Sequence, residues 1–172
     1  MSTASDNATA DDSERGAEIV LQFLELSRTA TERPLSEEEL GTVNEFLRLH
    51  PSLDRSLGVT YLAVEPQRMV IRLEVTEAHQ QPWGVTNGGV YACLGETAAS
   101  MASFVAAGAQ TPVMGTSNKT DFLRPTRPGD VIVSTATPEH VGRTSHLWRV
   151  EHRAEATGKL CALTYLKTTV QG

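Results

Sequence analysis

An α+β domain, with an antiparallel sheet wrapped around one long central helix and extra helices at the N-terminal end, is the fold class that the 172-residue sequence predicts. Three observations point to it. Two strand-like segments precede a single long helical stretch and about four follow it, whereas a doubly wound fold would alternate strands with helices. The stretch 81–107 holds one charged side chain, Glu96, and no other Asp, Glu, Lys or Arg occurs between Glu77 and Lys119. From Gly89 onward it is mostly Ala, Ser, Val, Met and Phe, and a helix that is small or apolar almost all round is usually a buried one.

Residues 1–12, rich in Ser, Thr, Ala, Asn and Asp, read as a flexible tail with too little apolar surface to order itself. Residues 13–50 read as a helical extension. Ile19, Val20, Phe23, Leu24 and Leu26 recur at helical spacing up to about residue 30, and Ser36 with Glu39 has the form of a capping box that opens a second helix through Leu49. Pro34 and Pro51 mark the breaks. Packing on the sheet, a subunit interface and a lid over a pocket are all open to these helices. Residues 51–172 make the main domain. A hairpin is expected over 57–75, turning at Pro66-Gln67 and alternating through Met69, Ile71, Leu73 and Val75. Beyond the central helix, strands are expected over 113–123, 131–137, 145–154 and 160–170, separated by segments that carry Pro or Gly.

The length suits one domain with an ordinary core. With 40% hydrophobic and 21% charged residues the composition is that of a soluble globular protein. A net charge of −6, with no basic recognition helix, argues against nucleic-acid binding. No apolar run reaches membrane-spanning length, and the first residues have neither a basic leader nor an apolar signal core. Cys93 and Cys161 are too few for a secreted disulfide framework and read as reduced thiols in a cytoplasmic protein.

The chemistry centres on Glu96. A buried carboxylate without a partner shifts its pKa or costs several kcal/mol, so it tends to stand where it has chemistry to do; a solvated stripe on a half-exposed helix is the plainer alternative. Asn87, a good N-cap type, precedes Gly88 and Gly89, whose backbone N–H groups can face a ligand with no side chain in the way. Such donors can hold a carbonyl oxygen as negative charge develops on it, although Asn-Gly-Gly is by itself also an ordinary turn. Gly88 lies eight positions before Glu96, roughly 12 Å along one helix at 1.5 Å per residue. One carbonyl cannot touch both. If the two groups cooperate, the carboxylate comes from a second copy of the helix, which predicts a two-fold dimer with composite sites.

Gln81, Gly88-Gly89 and Glu96, followed by DFLRPTRPGD and VGRTS, resemble the hotdog-fold acyl-CoA thioesterases of the phenylacetate-pathway and 4-hydroxybenzoyl-CoA thioesterase type, over roughly residues 57–170. The resemblance implies that Gly88 supplies an oxyanion-hole N–H, that Gln81 assists at the carbonyl, and that Glu96 is the catalytic carboxylate, as general base or as nucleophile. Ser100, one turn further on, would help place the water. The implied reaction is hydrolysis of an aromatic or medium-chain acyl-CoA, with no metal or redox cofactor, in a homodimer or a tetramer of two dimers. One departure is plain: Asn87 stands where the family usually has His, which bears on the neighbouring hydrogen bonds and the acyl pocket. Arg124, beside Pro125, and Arg143, in a turn, are candidates for the CoA phosphates and equally for solvated turn residues.

Two other functions remain open at this level. A domain of this kind can bind acyl-CoA as a sensor without hydrolysing it. It can also act as a dehydratase or hydratase that pairs a loop His with a helix carboxylate; His79 is the nearest candidate, but Gln81 fills the matching position. His140, His146 and His152 show no metal-ligand spacing, Cys93 has no evident base, and Trp83 and Tyr91 are candidates for pocket wall or core.

Overall fold

The computed structural model describes residues 10–171, so the first nine residues of the expected tail lie outside the described residues. Three helices come first: α1 (Ala10–Thr29), α2 (Glu37–Leu49) and the short α3 (Leu53–Leu57). The hairpin β1 (Thr60–Glu65) and β2 (Arg68–Glu74) leads through one 3-10 turn, Glu77–His79, to the central helix α4 (Gly88–Ala106). Strands β3 (Val113–Phe122), β4 (Val131–Val141), β5 (Ser145–Ala154) and β6 (Leu160–Val170) complete the fold. All six strands form one antiparallel sheet in the order β1-β2-β4-β5-β6-β3.

The sheet folds around α4 because its strands alternate. In β5, His146, Trp148, Val150 and His152 are buried while the residues between them are not, the period-2 signature of a half-covered sheet. Against that face α4 sets Val90, Tyr91, Leu94, Ala98, Ala99, Ala102 and Val105, all buried. The helix comes close to the sheet at Gly95, where an added Cβ would lie 2.6 Å from the Thr164 side chain of β6. That close approach fixes the depth of the next residue, Glu96.

The two edges of the sheet are treated differently. On β1, Asn44 of α2 donates to the Tyr61 carbonyl (3.0 Å) and accepts from the Tyr61 N–H (2.7 Å), beside a register shift between Tyr61 and Ala63. A helix thus covers that edge. The opposite edge, β3, is open and exposed along most of its length, with Met114 and Phe122 more than half exposed. An uncovered ten-residue edge is a ready template for pairing with another chain.

Several boundaries differ from expectation. Helix α1 begins at Ala10, inside the stretch read as tail. Residues 53–57 are helical, so the hairpin expected from 57 begins only at Thr60: Ser52 caps α3 by accepting from the Arg55 N–H (3.1 Å), and Gly58, at φ +76°, closes it. Strand β4 continues to Val141, past the expected end at 137, because a register shift between Pro138 and His140 takes up the proline, which has no N–H to give the ladder. Ser36 and Glu39 form the expected capping box. Among the described residues no helix is long and apolar enough to cross a membrane.

Candidate active site

The start of α4 is fastened from several sides. Thr86 N–H donates to the Thr126 carbonyl (2.8 Å), and the Thr126 hydroxyl bonds to both the Thr86 hydroxyl (2.6 Å) and the Tyr91 hydroxyl (2.7 Å). Asn87 N–H donates to the His79 carbonyl (2.8 Å). A turn in which Gln81 N–H bonds to Val85 and the Gln81 carbonyl accepts from Gly84 brings Gln81 to the same pocket as Gly88. This pocket, about 350 Å³, is lined also by Thr86, Tyr91, Phe122 and Arg124. The Arg124 guanidinium is tied at the rim by donating to the Leu160 carbonyl (2.8 Å). Phe122 presses on the glycine: a Cβ at Gly88 would lie 2.7 Å from its ring.

One of the two expected donors is already taken. Asn87 Oδ1 accepts from the Gly89 N–H at 2.8 Å, the ordinary N-cap bond. Gly89 therefore serves the helix cap, and Gly88 N–H is left without an acceptor among the described residues. It stands at the positive end of a 19-residue helix, where the partial positive charge of the helix dipole collects.

Glu96 opens onto a different pocket, about 510 Å³, whose lining includes Phe23, Phe46, His50, Asp54, Ser100 and Phe104. Its carboxylate is half-buried and held by two groups: Asn118 Nδ2 donates to Oε2 (3.0 Å) and Ser100 Oγ to Oε1 (3.4 Å). The space for it exists because β3 carries a glycine above it, and a Cβ at Gly115 would overlap the carboxylate. On the far wall Phe23 stacks on Phe46 (centroids 4.3 Å) and Phe46 on His50 (5.0 Å). Asp54, which accepts from the Thr97 hydroxyl at 2.5 Å, is pushed above the usual carboxylate range by burial.

The other candidates are placed as follows. Arg143 is exposed in the β4–β5 turn and lines neither pocket. Trp83, 81% exposed, lines neither; Tyr91 walls the Gly88 pocket. His79 is buried with Nδ1 accepting from the Thr76 N–H (3.0 Å), outside both pockets. Burial, then the charges of Asp54 and Glu96, push the Cys93 thiol up, away from a reactive thiolate. His146 bonds to the Ser103 hydroxyl (2.7 Å) inside the core. Asn118 and Gly115 escaped the sequence reading. The one available signal was a glycine inside a strand, which marks a close approach of another group.

The family model described as Thioesterase superfamily matches residues 84–161. A 1,4-dihydroxy-2-naphthoyl-CoA hydrolase of Listeria monocytogenes is 30% identical over 109 residues, 63% of this chain and 88% of that protein. The chain belongs to the thioesterase superfamily. The proofreading thioesterase EntH of Klebsiella pneumoniae is 32% identical to this thioesterase over 116 residues, 67% of this chain and 83% of that one. A crystal structure of a Haemophilus influenzae thioesterase matches it with a TM-score of 0.71 at 29% identity, over 77% of this chain and 90% of that one. The thioesterase thus has the hotdog fold that the resemblance implied. Its helices α1 and α2 lie outside the residues matched by the family model, yet they supply Phe23 and Phe46 to the pocket of Glu96.

Proposed function

We propose that the thioesterase hydrolyses an acyl-CoA thioester at sites composed from two subunits. The observation that carries this reading is that Gly88 N–H and Glu96 stand on one helix but open onto separate pockets, roughly 12 Å apart along the axis. Pairing β3 with β3 of a second copy about a two-fold axis supports the rest. It would extend the sheet through the open edge, cover Phe122 and lay the two α4 helices side by side and antiparallel. Gly88 of each copy then approaches Glu96 of the other.

In such a site the thioester carbonyl accepts from Gly88 N–H, with the Gln81 amide beside it. Glu96 takes a proton from a water placed by Ser100 as the water attacks the carbonyl carbon, or attacks that carbon itself. On the first route the tetrahedral adduct collapses, the C–S bond breaks and the CoA thiolate leaves with the proton that Glu96 took from the water. On the second the thiolate leaves first, water then hydrolyses the Glu96 acyl anhydride to free acid, and a proton of that water goes to the thiolate. The acyl group extends into the apolar pocket walled by Phe23, Phe46 and Phe104, and the CoA chain leaves past Arg124 at the rim. Arg143, in the exposed turn, would serve only a more distant phosphate. Two such dimers back to back would make the tetramer of the resemblance, and two unpaired cysteines suit the cytoplasm.

The test is thiol release from a panel of aromatic and aliphatic acyl-CoAs, with the oligomeric mass measured by light scattering. Turnover by a dimer or tetramer is expected. Mixing Glu96→Gln subunits with Gln81→Ala subunits should then give hybrids more active than either parent, because one of the two sites carries neither change. A monomer that turns over, or hybrids no better than their parents, would sink the composite site. Acyl-CoA binding with no turnover across the panel would turn the reading toward a sensor.

Gly115→Ala is expected to lower kcat on the order of 10²-fold, the usual cost of moving a reacting group by about 1 Å, with the fold retained on the exposed strand. Steady-state kinetics beside a thermal melt check this. Unchanged kcat would mean that the position of the carboxylate is not limiting.

A further inference from the structure

A continuous row of side-chain hydrogen bonds leads from the interior of the sheet to Glu96. It crosses four strands: Ser134 of β4, His152 of β5, Thr164 of β6, then Thr120 and Asn118 of β3. The distances are 2.8 Å from Ser134 Oγ to His152 Nδ1, 2.9 Å from His152 Nε2 to Thr164 Oγ1 and 2.8 Å from Thr164 Oγ1 to Thr120 Oγ1. Thr120 Oγ1 lies 2.9 Å from Asn118 Oδ1, and Asn118 Nδ2 lies 3.0 Å from Glu96 Oε2. Resting on the proposed role of Glu96, we propose that Ser134, His152, Thr164 and Thr120 are positioning residues, which lock the Asn118 amide with its N–H₂ toward the Glu96 carboxylate.

Counting donors gives the row a single direction. Asn118 Nδ2 faces two groups that only accept, the Glu96 carboxylate and the Ala92 carbonyl (3.0 Å), so the amide oxygen faces Thr120. Thr120 spends its one proton on that oxygen and must accept from the Thr164 hydroxyl. Thr164 in turn must accept from His152 Nε2–H. The neutral imidazole has one N–H, so Nδ1 accepts from Ser134. Every donor points toward Glu96, and such a chain polarises its members cooperatively. Burial holds His152 neutral, with its pKa lowered to about 3, which keeps the tautomer consistent with this order.

The position of the row also ties it to the site. Thr164 is the residue that Gly95 meets, one position before Glu96, so the turn of α4 that bears the carboxylate rests on the middle of the row. Ser134, His152 and Thr164 are fully buried at inward positions that apolar residues would fill without any hydrogen bond to satisfy. A sheet that needed only packing has no use for a polar row, whereas a carboxylate on an open strand edge needs a partner of fixed orientation. Without Thr120 the Asn118 amide oxygen loses its donor, and the orientation of the N–H₂ toward Glu96 rests on the two acceptors alone.

The experiment compares Thr120→Val, which removes the hydroxyl at constant volume, with Thr120→Ser, which keeps it, in the full chain. A hydrogen-bond network to a charged group supports an expected fall in kcat of about tenfold for Thr120→Val, with KM unchanged and kcat recovered in Thr120→Ser. In an Asn118→Ala background, Thr120→Val should cost nothing further, since both changes act through one bond. Wild-type kcat in Thr120→Val, equal defects in Val and Ser, or additive losses would each overturn the inference while leaving hydrolysis at Glu96 standing. Nitrogen-15 NMR judges the row without any turnover. The His152 Nε2–H tautomer, together with Asn118 side-chain amide signals that move in Thr120→Val but not in Thr120→Ser, is the expected result even if the hydrolysis reading itself fails. An Nδ1–H tautomer overturns it.

Discussion

Glu96→Gln is expected to lower kcat for acyl-CoA hydrolysis by about 10²–10⁴-fold, the range for loss of a positioned acid or base, and to leave the oligomeric mass unchanged. The substitution suits the site because it keeps the shape of the side chain. The Gln oxygen can still accept from Asn118 Nδ2, and its new N–H₂ can donate to Ser100 Oγ, so both contacts of the carboxylate persist. What disappears is the negative charge and with it the capacity to take a proton from water or to attack a carbonyl. Thiol release measured beside a thermal melt separates the two effects. A folded Glu96→Gln protein that retained wild-type kcat would remove Glu96 from the mechanism and send the search back to the second carboxylate of the pocket, Asp54, which burial already pushes toward its protonated form.

The central helix was legible because its signals are local. A lone charge in an apolar stretch, a good N-cap type and a glycine pair lie within ten residues of one another, and α4 begins at Gly88 as they require. Strands β5 and β6 were legible to the residue because their alternation runs between clear turns, whereas Pro138 made β4 look shorter than it is. The fate of Gly89 shows a conflict that the sequence already contained. An Asn at the N-cap position bonds the N–H two or three residues on, so naming Asn87 as the cap already put the Gly89 donor in competition, and the cap takes it. Asn118, Gly115 and the aromatic wall were not legible, for a different reason. Asn118 reaches Glu96 across 22 positions of sequence, and Phe23 reaches the same pocket from a helix with no counterpart in the family motif. Such contacts follow from how α1, α2 and β3 pack, which no local pattern encodes.

The conformational stability of the thioesterase is expected to fall as the solution is acidified from about pH 6.5, and His152 is expected to supply much of the slope. The ring is fully buried, its two nitrogens bonded to Ser134 and Thr164 and its face set edge-on to Tyr91 (5.7 Å). Burial takes its pKa down to about 3 in the folded protein, against about 6.5 in the unfolded chain. Above pH 6.5 the ring is neutral in both states and the contribution is fully present. Between 6.5 and 3 only the unfolded chain takes up the proton, so stability is lost at about 1.4 kcal/mol per pH unit. His146, lowered in the same direction by burial, adds to the loss, and Glu151, where burial is outweighed by Arg153 and Arg149 so that the carboxyl is lowered, adds only once carboxylates titrate. In the window from pH 6.5 to 5 the histidines carry the loss, and Asp54, which burial pushes up so that it takes its proton earlier in the folded protein, opposes it. Urea unfolding across that window, for wild type and His152→Gln, measures the effect. The variant is expected to be less stable at pH 7 but to lose less per pH unit, because Gln has nothing to protonate. Equal slopes would mean that His152 takes up its proton inside the fold. Only the first bond of the row, that with Ser134, would then reverse at mildly acid pH, since a doubly protonated ring donates to Ser134 and still donates to Thr164.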